Sequence, residues 1–157
     1  MTFNYTIEDL IKFLYSAKLN TFSSDLKPDR KKDGSRIYSF EENNFNYQDK
    51  YYGNIIDAGQ EIVWYKNSPV WTMSYRGGML SHEELSKKCF RFLKKSLQRI
   101  PQELPIRGHK FFKEEPFKYI NSIDGNILDF TGQESILFNE EQIYFRNYLG
   151  GIIKLEN

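Results

Sequence analysis

The sequence contains one cysteine, Cys89, and this scarcity excludes an internal disulfide. Thiols stay reduced in the cytosol, so a chain without disulfide pairs is typical of a reducing compartment. The sequence also lacks an apolar run of the roughly 18 residues that a transmembrane helix needs. Its first residues lack the basic start of a secretory signal. We therefore expect a cytoplasmic protein with no membrane partner.

Net charge is also low, because 22 Lys and Arg residues against 21 Asp and Glu residues leave +1 at pH 7. A dedicated nucleic-acid-binding domain usually has a pI above about 9, so this charge argues against a nucleic-acid partner. His82, Cys89 and His109 do not have metal-ligand spacing. The sequence lacks a glycine-rich phosphate loop, a nucleophile elbow and a dinucleotide fingerprint. We therefore expect no metal and no cofactor. Because these motifs are absent, the sequence assigns no catalytic residue.

Aromatic residues, in contrast, are abundant at 17% of the chain. Aromatic side chains favour strands and fill cores and binding surfaces, so we expect β-structure with at least one large apolar face. The length of 157 residues suits one ordinary domain. We therefore predict a single domain over residues 1–157.

Two segments of the chain, residues 36–80 and 108–153, resemble each other. The identical residues cluster where the backbone geometry is demanding, at Gly53-Asn54 and Gly125-Asn126, which are tight-turn signals. An amphipathic helix is predicted before each segment, over residues 7–18 and 82–99. The fold predicted from this pattern is α+β. It is an internally duplicated helix-plus-antiparallel-strands unit, with the two helices packed on antiparallel sheet.

The two predicted helices have recognisable ends. Thr6 is a helix-capping residue type directly before the first apolar stripe. Ser81 and Glu84 have the spacing of a capping box before the second stripe, and Pro101 ends that helix. Cys89 lies on the second apolar stripe, so we interpret it as a buried core thiol.

The hairpin of the first segment is predicted to turn at Asn67-Ser68. This register would place large side chains together on one face of the sheet, namely Trp64, Trp71, Met73 and Tyr75. The second segment carries polar residues at the matching positions, so this face would lie outside the core and need a cover or a partner. The polar segment 23–35 is one candidate cover, and a small apolar or aromatic ligand is the other.

Two glutamates, Glu61 and Glu134, each follow a Gly-Gln pair at the core-facing start of a strand. A carboxylate on a core face is unfavourable unless it is paired, and two converging carboxylates can act as acid and base. Alternatively, each glutamate binds backbone amides or an arginine at a strand edge. Asp57 and Asp129 are interpreted as turn residues.

The second predicted helix carries a basic stripe opposite its apolar stripe, formed by Lys87, Lys88, Arg91, Lys94, Lys95 and Arg99. Such a stripe could contact phosphates or a protein partner. It is also typical of the solvated face of an amphipathic helix.

Three motifs together resemble a bacterial family of uncharacterised domains. They are the segment 62–75 (IVWYKNSPVWTMSY), Pro105-Ile106-Arg107-Gly108, and the closing Tyr148-Leu149-Gly150-Gly151. In that family the domain occurs alone or C-terminal to a Cro/repressor-type helix-turn-helix, which implies a sensor role by association. The resemblance implies no activity. We expect no room in this chain for an added DNA-binding module.

The leading hypothesis is a non-enzymatic binding or sensor module for a small apolar or aromatic ligand. Its candidate ligand-binding residues are Trp64, Trp71, Met73 and Tyr75, with Glu61 and Arg107 as polar anchors. One alternative is an enzyme that uses Glu61 and Glu134 as an acid–base pair. Another is a protein or nucleic-acid interaction module that uses the basic helix. A homodimer is left open.

Overall fold

An antiparallel sheet dominates the computed structural model, which describes residues 4–156. Within those residues the sheet has nine strands: β1 (Asp29–Arg30), β2 (Arg36–Glu42), β3 (Phe45–Gly53), β4 (Ile56–Tyr65), β5 (Ser68–Met79), β6 (Phe111–Glu114), β7 (Phe117–Asn126), β8 (Asp129–Phe138) and β9 (Glu141–Ile152). Their order across the sheet is β1-β2-β3-β4-β5-β9-β8-β7-β6. Strands from the two halves of the chain therefore meet where β5 pairs with β9.

The predicted fold class, an α+β fold built from a duplicated helix-plus-strands unit, is wrong. The described residues form two short α-helices, α1 (Ile7–Leu19) and α2 (Ser86–Leu97), of 13 and 12 residues. The strands belong to one continuous sheet, because β5 and β9 pair from Trp71 with Ile152 to Met79 with Tyr144. Aromatic and β-branched side chains favour extended backbone along most of the chain, so the protein is mainly antiparallel β-sheet.

Helix α1 begins where its sequence indicates. Thr6 accepts a hydrogen bond from the backbone N–H of Asp9, and Asp9 accepts one from the backbone of Thr6, which confirms the predicted cap. The apolar face of α1 buries Leu10, Phe13, Leu14 and Ala17. These side chains pack in a cluster that also contains Tyr47, Val63, Trp71 and Met73.

Helix α2 begins later than predicted. A short 3-10 helix, Glu83–Leu85, precedes it, and the expected capping box between Ser81 and Glu84 is not formed. The carboxylate of Glu84 instead lies 3.1 Å from the ring of His82, which also contacts Glu141. Helix α2 buries Cys89, Phe92, Ser96 and Leu97. Of these, Cys89 and Phe92 belong to a second apolar cluster, which contains Phe117, Ile136 and Tyr144.

The register of the β4–β5 hairpin differs from the prediction. The turn lies at Lys66 and Asn67, both with positive φ, and not at Asn67-Ser68. A bulge next to this turn shifts the pairing, so that Trp64 faces Pro69 and Trp71 faces Val63. Because neighbouring residues on a strand point to opposite faces, Trp64 and Trp71 do not share a face. The β8–β9 hairpin likewise turns at Asn139-Glu140, with a bulge beside the turn.

A buried lysine joins α1 to the sheet. The side chain of Lys18 is 1% exposed, and its ammonium group lies 3.2 Å from Oε2 of Glu61. It also donates to the carbonyl oxygen of Ile106, in the connection between α2 and β6. Burial lowers the pKa of Lys18, and the charge of Glu61 opposes this change. One side chain thus connects a helix, a strand and a loop.

We expect the K18M variant to lose about 3–5 kcal/mol of unfolding free energy, because Glu61 would stay buried without its cation. Urea denaturation followed by circular dichroism measures this loss. The double variant K18M/E61Q should recover part of it, since the buried charge is then removed as well. The K12M variant is a control on the same helix, because the ion pair between Lys12 and Glu8 is exposed. A K18M protein as stable as K12M would contradict the role of this ion pair.

Candidate functional site

A cavity of about 270 Å³ lies between α2 and the sheet face that carries Glu61. Its apolar and aromatic lining comes from Phe22, Tyr38, Tyr51, Tyr75, Phe90, Leu93 and Leu97. Its charged lining comes from Arg36, Asp49, Asp57, Glu61, Lys94, Arg107 and Arg146. The cavity therefore combines ring-lined walls with charged side chains, several of which are buried.

The structure brings three of the six predicted ligand-binding residues to this cavity: Glu61, Tyr75 and Arg107. The side chains of Trp71 and Met73 are fully buried in the cluster beneath α1. The indole N–H of Trp71 donates to the carbonyl oxygen of Ile127 over 3.0 Å. Trp64 lies on the opposite face of the sheet. The hairpin bulge thus separates the residues that the predicted register had placed together.

Glu134, on β8, is held by three side chains. Arg107 donates two hydrogen bonds to its carboxylate, from Nε over 3.0 Å and from Nη2 over 2.7 Å. The hydroxyls of Tyr119 and Tyr144 donate to it over 2.6 and 2.9 Å. Burial raises the pKa of Glu134, but the charge and hydrogen bonds of Arg107 outweigh burial and hold the pKa below its usual value. Glu134 is thus an ionised anchor for Arg107.

Glu61, on β4, occupies a comparable environment. Its carboxylate accepts hydrogen bonds from the hydroxyl of Tyr47 and from the ammonium group of Lys18. Directly across the strand pair from Glu61 is a second carboxylate, Asp49 on β3. Directly opposite residues of an antiparallel pair have Cβ atoms about 5 Å apart. The arrangement therefore places two acidic side chains side by side at the cavity.

The proton affinity of Asp49 differs strongly from that of a free aspartate. It is 5% exposed, and burial together with the charge of Glu61 raises its pKa to about 7. The hydroxyl of Tyr75 donates to Oδ1 of Asp49 over 2.6 Å, which opposes the rise in pKa. The ring of Tyr75 can lie across β4 because its cross-strand partner is Gly59. A Cβ atom at Gly59 would lie 2.6 Å from the Tyr75 hydroxyl.

Arg146, on β9, completes the charged lining next to Tyr75. Its guanidinium donates two hydrogen bonds to Asp57, over 2.8 and 3.1 Å, and lies 4.8 Å from the centre of the Tyr75 ring. The interpretation of Asp57 as a turn residue is wrong, because it lies within β4, whereas Asp129 directly follows a two-residue turn as the first residue of β8. Asp57 joins β4 to β9 through this ion pair.

Sequence reasoning missed Asp49, Asp57 and Arg146 as site residues. A signal for Asp49 was present, because alternate residues of β3 point to the core face and Asp49 follows Phe45 and Tyr47 in that series. A charged residue in a buried alternating series indicates a polar site. Arg146 follows Tyr144 in the same way on β9.

The basic stripe of α2 is partly neutralised. Lys94 and Lys95 pair with Asp25 and Glu114 over 2.9 and 2.7 Å. Arg99 lies 4.1 Å from the ring centre of Phe112. The remaining members of the stripe, Lys87, Lys88 and Arg91, are exposed.

Cys89 is a free, buried thiol on α2. Burial raises the pKa of Cys89 to about 12, in line with its interpretation as a buried core thiol. Among residues 4–156, no three His, Cys, Asp or Glu side chains are grouped so that they could hold a metal ion. In the same residues, no helix combines the length and the apolar character required to cross a membrane.

We expect Asp49 to make the stability of the protein pH-dependent. The folded carboxyl keeps its proton up to about pH 7, whereas the unfolded carboxyl loses it near pH 3.8. Folded protein therefore binds more protons in this window, and stability falls as pH rises through it. Between pH 4 and pH 7, the unfolding free energy of D49N should rise relative to that of the wild type by on the order of 2–4 kcal/mol, with little further rise above pH 7.

Urea denaturation of both proteins at several pH values measures this difference. The D124N variant is the control, because Asp124 is an exposed carboxyl on β7. A stability difference between D49N and wild type that does not change with pH would show that Asp49 titrates normally.

The family assignment agrees with the predicted resemblance to uncharacterised domains. Residues 49–153 match the model of a domain of unknown function, DUF5680. This match includes Asp49, Asp57, Glu61, Arg107 and Arg146, and it begins after α1. No match was found among curated proteins or among solved structures. Because the matched segment covers most of the sequence, the chain belongs to the DUF5680 family.

Proposed function

We propose that this domain is a non-enzymatic binding or sensor module that takes a small ligand with an aromatic or apolar body into the cavity. The observation that carries this proposal is the combination of ring-lined walls with buried charged groups. Small-molecule sites are typically apolar clefts with a few well-placed polar groups. A cavity of about 150 Å³ is sufficient to hold benzene, so 270 Å³ accommodates a substituted single ring.

The polar groups of the cavity are held in place before any ligand binds. Arg107 is fixed by Glu134, Arg146 by Asp57, and Glu61 by Lys18. Fixed side chains reduce the entropy that binding would otherwise cost. This rigidity supports Glu61 and Arg107 as the polar anchors expected from the sequence, with Tyr75 beside them.

The enzyme alternative, with Glu61 and Glu134 as an acid–base pair, has weaker support. Strands β5 and β9 lie between β4 and β8, a separation of about 14 Å across the sheet. Working carboxylate pairs in glycoside hydrolysis, for example, lie about 5–10 Å apart. Both glutamates are also occupied by donors from the protein itself. Anchoring neighbouring side chains accounts for both.

The alternative of an interaction module that uses the basic helix also has less support. Lys94 and Lys95 are engaged with carboxylates, so only part of the stripe presents free charge. A sensor role agrees better with the cavity. It also agrees with the association with helix-turn-helix modules that the family resemblance implies. In such a protein, binding of the ligand in the cavity would be the signal that is passed to the helix-turn-helix module.

The L93W variant tests this proposal, because Leu93 on α2 lines the cavity and a larger ring would fill it. We expect single-ring aromatic compounds that raise the melting temperature of the wild type to lose this effect on L93W. The K88W variant carries the same new ring on the exposed side of α2 and should respond like the wild type. Backbone amide NMR shifts at Tyr38, Tyr51 and Tyr75 should locate the bound compound.

Two results would contradict this proposal. One is a panel of aromatic compounds that leaves the wild-type amide signals of the cavity unchanged at millimolar concentration. The other is equal binding to the wild type and to L93W. Circular dichroism spectra and melting temperatures of the two variants without ligand show whether each is folded before the comparison is made.

A further inference from the structure

We propose that the cavity selects ligands that carry a positively charged nitrogen, and that the carboxylate of Asp49 is the group that pairs with it. This inference rests on the proposed function, because it names the ligand class of the same cavity. It follows from an inventory of the charges buried there, from the hydrogen bonds of Asp49, and from the rings that surround this residue.

The buried charges leave one carboxylate without a cation. Three cations, Lys18, Arg107 and Arg146, face four carboxylates, Asp49, Asp57, Glu61 and Glu134. Lys18 pairs with Glu61, Arg107 with Glu134 and Arg146 with Asp57, at distances of 3.2, 2.7 and 2.8 Å. Within residues 4–156, Asp49 has no ion-pair partner at this distance. A buried carboxylate in this position must either bind a proton or acquire a cation.

Asp49 also keeps hydrogen-bonding capacity. From the described residues it accepts one hydrogen bond, from the Tyr75 hydroxyl to Oδ1. An ionised carboxylate has about four acceptor positions on its two oxygens. Since Asp49 lines the cavity, its remaining acceptor positions are available to a donor that enters there. An ammonium group supplies both the missing charge and the missing donors.

The rings around Asp49 favour a cation over a neutral group. Tyr38, Tyr51 and Tyr75 line the cavity, and the charge of Asp49 acts on the hydroxyls of all three. Aromatic faces attract ammonium groups, most strongly where water is excluded. A carboxylate beside several tyrosine rings is therefore a suitable environment for an organic cation with an apolar body.

Three of the four cations that line the cavity are already engaged in ion pairs. Arg107 and Arg146 are neutralised by their carboxylate partners, and Lys94 pairs with Asp25 at the exposed end of α2. The fourth, Arg36 on β2, is half-buried and hydrogen-bonds with the hydroxyl of Tyr51. An anionic ligand would compete with Glu134 and Asp57 for the two arginines, and it would be repelled by Asp49. Anion binding is consequently the less favoured outcome.

The inference is testable because Asp49 binds a proton at low pH and would lose it when a cation binds. The charged and titratable groups that face it are Lys18 from α1, Tyr38 from β2, Tyr47 and Tyr51 from β3, Glu61 from β4, Tyr75 from β5, Arg146 from β9 and Arg107 from the connection before β6. Their combined effect with burial raises the pKa of Asp49 to about 7. Below this pH, a cation that binds must displace the proton.

Isothermal titration calorimetry with three matched probes tests this: benzylammonium, benzyl alcohol and benzoate. We expect benzylammonium to bind about 10- to 100-fold more tightly than benzyl alcohol at pH 7.5, as a charge-assisted hydrogen bond allows. At pH 5.5 benzylammonium should bind more weakly, and its binding should release the proton of Asp49. The buffer takes up this proton, so the observed binding enthalpy should vary with the ionisation enthalpy of the buffer. At pH 7.5 this release should largely disappear, while benzyl alcohol binds equally at both pH values.

The D49N variant should lose the preference for benzylammonium and the proton release, and it should keep the binding of benzyl alcohol. The D124N variant carries the same change in charge on an exposed residue and should behave as the wild type. Because the proton release is measured on wild-type protein, the test remains decisive if D49N does not fold.

The outcomes separate the two proposals. If benzoate or benzyl alcohol binds as tightly as benzylammonium, the inference about cations is overturned while the cavity remains a binding site. If benzylammonium binds preferentially without proton release at pH 5.5, Asp49 is not its partner and the inference is also overturned. If none of the three probes binds at millimolar concentration, both the inference and the proposed function fail.

Discussion

Ion pairing within the sheet face beneath the helices is the constraint on which the rest of the structure depends. Charged side chains that are almost fully buried would be strongly unfavourable alone, so each requires a partner at hydrogen-bonding distance. Lys18 and Glu61 fix α1 to β4, and Arg107 and Glu134 fix the connection between α2 and β6 to β8. These pairs hold the segments that surround the cavity in one arrangement.

The same constraint gives the cavity its chemistry. Tyrosine hydroxyls contribute to the environment of Glu61 and Glu134, and both oxygens of each carboxylate accept a hydrogen bond from the protein. Asp49 is different, because its cross-strand neighbour is another carboxylate and its donor is one tyrosine. The protein therefore leaves the charge of Asp49 without a cation and some of its acceptor positions free, and a cationic ligand can supply both the charge and the donors.

Local sequence signals predicted several features well, and an error of one residue in the register of a hairpin accounts for the misplaced tryptophans. The cap at Thr6 and the presence of a strand hairpin in residues 61–75 follow from local patterns. The turn position and the bulge beside it do not, because a shift of one residue moves every side chain to the opposite face. That shift placed Trp71 in the core and separated it from Trp64. The sequence also did not indicate that the strands form one continuous sheet, because the pairing of β5 with β9 joins distant parts of the chain.

The sequence by itself determined the aromatic, strand-rich character of the chain and the position of α1. Only the tertiary structure decided which charges pair and where a cavity remains. The partners are 43 residues apart for Lys18 and Glu61 and 89 residues apart for Arg146 and Asp57. Local periodicity carries no information at such separations, because these contacts arise only when the strands assemble in their final order across the sheet.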